Sequence, residues 1–138
     1  MEKDNIPLEK LARHFEAYNR SEGKSPRTVE WYSRVLRYFG RYLEEQGHST
    51  NLGDLTLEVA REFVLHLQTR RKWDRHPCIP SSDSKLAAIS VQNYVRGLRA
   101  FFSWLRREGY TEEHILARLK PPKAPQKLVE VLTEEEVA

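Results

Sequence analysis

Ser25–Gly47, SPRTVEWYSRVLRYFGRYLEEQG, decides the fold. Serine followed by proline is a helix start: the Ser25 hydroxyl can accept a backbone N–H, and Pro26 suits the first helical position. Gly47 can close the helix in a left-handed conformation. Between them Val29, Tyr32, Leu36, Phe39 and Leu43 recur every three or four residues, which predicts a buried stripe. A second stripe, Trp31, Val35, Tyr38 and Tyr42, lies beside the first. Arg27, Arg34, Arg37 and Arg41 fall on the side facing away from the core. The helix is two-sided by sequence, apolar behind and basic in front.

The same logic extends outward. A helix from near Pro7 to Ser21 carries Leu8, Leu11, Ala12, Phe15 and Tyr18 on one face and stops at Gly23. Thr56 caps a third helix, with Leu55 and Ala60 placed as a hydrophobic staple. Its core face is Ala60, Phe63, Val64 and Leu67, and it ends in Arg70-Arg71-Lys72, charges that suit a helix C-terminus. Residues 73–89, with Pro77, Pro80 and the polar run Ser81–Ser84, read as a loop. Ser90 then caps a fourth helix to about Glu108, stopped by Gly109. Tyr94, Val95, Leu98, Phe101, Phe102 and Leu105 form its inner face. Gln92, Asn93, Arg96, Ser103 and Arg107 fall opposite, with Arg99 and Arg106 at the flank. A short fifth helix is expected from Thr111 to Leu119. No stretch sustains strand alternation, so the predicted fold is all-α, four main helices plus the short fifth.

Lys120–Gln126, KPPKAPQ, cannot be helical and reads as a semi-extended interdomain linker. Beyond it, Leu132–Val137 has Thr133 at a cap position, Glu136 three residues later and a flanking staple, a complete helix start. The expected organisation is therefore a body over residues 1–119, then over 120–138 a linker and the truncated start of a second domain.

Composition narrows the class. The 138 residues are 39% hydrophobic and 31% charged, and the longest apolar run, Leu86–Ile89, is four residues, so neither a membrane span nor a signal peptide is expected. The one cysteine, Cys78, has no internal partner and fits a reducing cytoplasm. The net charge of +3 divides into +7 over residues 1–127 and −4 over 128–138. A basic body suits a polyanionic partner.

Together Ser25–Leu43 (SPRTVEWYSRVLRYFGRYL), Leu55–Gln68 (LTLEVAREFVLHLQ), Ser90–Tyr110 (SVQNYVRGLRAFFSWLRREGY) and Lys120–Val137 resemble the N-terminal core-binding domain of tyrosine site-specific recombinases, the phage integrase and Xer-type family. The resemblance covers roughly residues 7–138 and keeps the order and spacing of the four segments. It implies a SAM-like helical bundle that grips one side of a DNA duplex while a C-terminal catalytic domain grips the other. It further implies a parent enzyme that integrates or recombines DNA through a covalent phosphotyrosine, without metal or cofactor, as four subunits on paired sites. Carried over by position, the DNA contacts would be Ser25, Arg27 and Thr28, then Ser90, Gln92, Asn93, Arg96 and Arg99. The family's Thr-Val-Asn-Arg reads Ser90-Val91-Gln92-Asn93 here, so base preferences do not transfer. The family's catalytic Arg, Lys, His and Tyr lie in its C-terminal domain and map onto nothing in this chain, so the chain by itself is expected to have no catalytic activity.

Each signal also has a plainer reading. Arg27, Arg34, Arg37 and Arg41 with Lys24 could be a solvated face; beside a duplex they would neutralise phosphates. Gln92 and Asn93 could be ordinary polar surface; in a major groove their amides can pair with adenine. Arg99 could instead anchor helices through its stem. Phe101, Phe102 and Trp104 read as packing, as do Trp31, Tyr38 and Tyr42, though the latter stripe could meet a neighbouring subunit. His76-Pro77-Cys78 lacks the further ligands a metal site needs. Two alternatives stay open: a helical protein-interaction module and a small stand-alone DNA-binding regulator.

Overall fold

A computed structural model describes residues 2–74 and 81–122. Four α-helices form the body: α1 (Leu8–Ser21), α2 (Pro26–Glu45), α3 (Leu57–Asp74) and α4 (Ser81–Arg107). Short 3₁₀ turns occupy Glu2–Asn5 and Leu52–Asp54. Among the described residues there is no β-strand; the nearest to one is an isolated bridge of Pro7 with Asn51, where Leu8 N–H donates to the Thr50 carbonyl at 2.8 Å. The all-α reading holds.

The caps are those the sequence specifies. Ser25 Oγ accepts the Thr28 N–H at 3.2 Å, and Pro26 opens α2. Thr56 Oγ1 accepts the Val59 N–H at 3.2 Å. Gly47 has φ +76° and lets His48 N–H reach the Leu43 carbonyl at 2.8 Å. Gly109, at φ +86°, lets Tyr110 N–H reach the Leu105 carbonyl at 2.9 Å. Both closures satisfy carbonyls that a helix end leaves open.

The core lies where α2 meets the other helices: α1 packs on one side of it, α4 on another, and α3 packs on α4. Both apolar stripes of α2 are used. Val29, Leu36, Phe39 and Leu43 are buried, and so are Val35 and Tyr42, while Tyr32, Trp31 and Tyr38 are half-buried. Phe39 meets Phe63 of α3 at 5.0 Å between centroids, and Phe15 of α1 meets Phe101 of α4 at 5.3 Å. Gly97 lets α4 approach α2 closely, since a Cβ there would lie 3.1 Å from Val35 Cγ2.

Two sequence expectations fail. The expected loop over 73–89 is largely helix: α3 runs to Asp74 and α4 begins at Ser81. Ser81–Ser84 is the first turn of α4. Ser90 consequently sits inside α4 instead of capping it. The segment 75–80, including His76 and Cys78, lies outside the described residues. The expected fifth helix is absent: residues 111–122 form turns, with Ala117 N–H to the His114 carbonyl and Leu119 N–H to the Leu116 carbonyl, each 3.0 Å. Thr111 Oγ1 donates to the Glu113 carbonyl at 2.7 Å, so its hydroxyl closes a local turn. Leu116 and Leu119 are drawn into the core, and a nine-residue stretch has too little helical stability of its own to resist. The expected linker and helix start beyond Pro122 lie outside the described residues.

Candidate nucleic-acid interface

The α1–α2 turn and the first turn of α2 carry four of the expected contacts. Lys24 is half-buried, its Nζ 5.2 Å from the Tyr18 ring centroid. Ser25 and Thr28 are occupied with each other: besides its capping bond, Ser25 Oγ donates to Thr28 Oγ1 at 3.0 Å. Arg27 is exposed one turn further on.

The arginine row of α2 divides in two. Arg27 and Arg34, seven residues apart and so on one side of the helix, line a cleft of about 460 Å³ with Glu30 and Trp31. The Arg34 guanidinium stands over the Trp31 ring at 6.0 Å, and Trp31 in turn packs on Tyr94 of α4 at 5.2 Å. Arg37 and Arg41 are also exposed, but they border a separate cleft of about 340 Å³ between α1 and α2, with Glu9 and Glu44 among its walls. The net positive charge of the row is therefore concentrated at its Arg27–Arg34 end.

On α4 the expected contacts also separate. Tyr94 and Gly97 face α2, through the Trp31 ring and Val35. Ser90 and Asn93, one turn before them, border that crossing, and Arg96 Nη1 donates to Asn93 Oδ1 at 3.1 Å. Gln92 and Arg99 lie on another side. Gln92 Nε2 donates to the Pro122 carbonyl at 2.6 Å and Arg99 Nη1 to the Leu119 carbonyl at 2.7 Å. Both clamp the returning segment 111–122 along α4. The plainer reading of Arg99 as an anchor describes its geometry, but through its guanidinium on the Leu119 carbonyl.

Sequence reading missed Trp31 as the piece joining α2 to α4 at this face, and it passed over Glu30. Three-and-four spacing from Arg27 and to Arg34 was the available signal for both. Arg107 was also missed as a link: its Nη2 donates to Tyr18 Oη at 3.1 Å.

His114, in the returning segment, has its pKa lowered, first by burial and then by the charges of Arg99 and Arg106. Its Nδ1 is buried without a hydrogen-bond partner. Among the described residues no three His, Cys, Asp or Glu side chains come together as a metal site, and no helix is long and apolar enough to cross a membrane.

The phage integrase N-terminal SAM-like domain family matches residues 11–112, and this chain belongs to it. The tyrosine recombinase XerA of Thermococcus kodakarensis is 36% identical over 127 residues, covering 92% of this chain and 35% of that protein. XerA of Thermococcus onnurineus is 32% identical over 94% of this chain and 36% of its own length. The tyrosine recombinase XerC of Oceanobacillus iheyensis is 28% identical over 82% of this chain and 32% of its own. The chain thus spans about a third of the length of these relatives. No solved structure gives a significant match.

Proposed function

We propose that this chain binds duplex DNA as the N-terminal clamp of a tyrosine site-specific recombinase, with residues 1–119 as the DNA-binding body and 120–138 leading to a catalytic domain. That domain would break and rejoin strands through a phosphotyrosine, four subunits acting on paired sites. The present chain supplies duplex binding and subunit contact, and no chemistry.

One observation supports the reading: Trp31, which lines the cleft of Arg27 and Arg34, packs on Tyr94 of α4, the helix that carries Ser90, Asn93 and Arg96. Flexible cations on one helix and amide and hydroxyl groups on the next are what phosphate positioning and base reading respectively require. Lys24, Arg37 and Arg41 extend the cationic surface, Ser25 and Thr28 shape the turn before α2, and Gln92 and Arg99 act by fixing the segment behind α4.

A gel shift with duplex DNA over a salt series tests this. Neutralising three to six phosphates gives a log–log slope of about −3 to −5. A slope near zero, or no binding at low salt, would replace the proposal with a protein-interaction module.

A further inference from the structure

The cleft of Arg27, Glu30, Trp31 and Arg34 contains one feature that phosphate binding does not use. Glu30 is the one acidic residue of α2 before Glu44, and it is exposed between two arginines. On α1, glutamates at the same spacing pair with their arginines: Glu9 with Arg13 at 3.6 Å and Glu16 with Arg20 at 2.7 Å. Glu30 and Arg34 share that spacing, and no ion pair joins them; among the described residues the Glu30 side chain has no hydrogen bond or ion pair. The reason is visible one residue away, where the Trp31 ring holds the Arg34 guanidinium over itself. The carboxylate is left free, facing out of a basic surface.

Resting on the duplex-binding reading, we propose that Glu30 is a specificity-determining residue that accepts a hydrogen bond from the exocyclic amino group of a cytosine in the major groove. An unpaired carboxylate set among phosphate-binding arginines weakens binding to any backbone, because it repels the same phosphates. Its oxygens only accept, and the cytosine N4 amino group is the donor that carboxylates read in that groove. Arg27 and Arg34, flanking it at three and four residues, hold the backbone on either side, and Trp31 fixes one wall through its contact with Tyr94.

The test is selection from a duplex pool with about 20 randomised base pairs, using the chain as it stands and its Glu30→Ala and Glu30→Gln variants. The unchanged chain should enrich cytosine at one position by about 5- to 150-fold, the range a good base contact supplies. Glu30→Ala should flatten that position alone and raise affinity for unselected DNA. Glu30→Gln should turn the position toward adenine, whose N6 and N7 a glutamine amide can pair together. Because Glu30 is exposed, thermal melting of both variants should match that of the parent. Unchanged base profiles in both variants, or a parent that binds duplexes with no preference at any position, would overturn the inference while leaving duplex binding intact. A parent that binds no duplex at low salt fails the functional proposal itself.

Discussion

Arg99 donates a 2.7 Å hydrogen bond to the carbonyl of Leu119, twenty residues further along the chain. With the Gln92–Pro122 bond it holds the exit of the body along α4, and Leu116 and Leu119 fill the core beneath. Arg99→Met keeps much of the stem but removes the donors. It should cost about 1.5 kcal/mol, the lower end for a charge-assisted bond because the group is only half-buried. Faster amide hydrogen exchange over 114–120, with α1 to α3 unchanged, would report release of this segment; uniform protection would show that the bond does not hold it.

Gly97→Ala tests the helix crossing beneath the interface. Alanine is the better helix former by about 1 kcal/mol, yet its Cβ would lie 3.1 and 3.3 Å from the two Val35 methyl groups. Val35 is fully buried and β-branched, so it cannot turn aside, and overpacking of this kind costs about 1–3 kcal/mol. The expected outcome is a net loss of stability in denaturant melts, with weaker duplex binding as α2 and α4 part.

Phe39→Ala and Phe102→Ala should each cost about 3–5 kcal/mol, as losses of almost wholly buried aromatic side chains. Urea melts followed by circular dichroism measure this. Near-native midpoints would mean that these rings contribute far less to the core than their burial implies.

If α2 and α4 form the proposed interface, the two helices should divide the work of binding. Arg34→Ala should weaken binding equally on all duplexes and reduce the salt slope by about one unit. Asn93→Ala or Arg96→Ala should lose about 1–3 kcal/mol on a selected duplex and much less on random DNA. Equal losses on both duplexes would assign α4 a positioning role only.

His114 gives the body an acid-side weakness. Burial and the neighbouring Arg99 and Arg106 lower its pKa when folded, so below about 6.5 the unfolded chain takes up the proton first. Its contribution to stability is complete above that pH and is lost as pH falls through the lowered folded value. His114→Asn should therefore show a smaller drop in melting temperature between pH 7.5 and 5.5 than the parent; equal drops would remove His114 as the cause.

Much of this architecture is legible in the residues. Ser25-Pro26, Thr56, Gly47 and Gly109 mark helix ends because capping is local chemistry, decided within four or five residues. The buried stripes of α2 and the inner face of α4 follow from periodicity alone, and so does the outward basic side. The helical start at Ser81 follows the same local chemistry, while the polar composition of Ser81–Ser84 on its own reads as loop. The candidate interface is legible as a set of residue types and not as an arrangement.

Tertiary structure alone decided that Gln92 and Arg99 serve the segment 111–122, that Arg37 and Arg41 turn toward α1, and that Trp31 leaves Glu30 unpaired. The sequence determined which side of each helix is apolar, because that side is written in side-chain spacing. It could not determine what covers a polar side. The partners of Gln92 and Arg99 are backbone carbonyls, which every residue carries, so only the path of the folded chain selects those of Leu119 and Pro122.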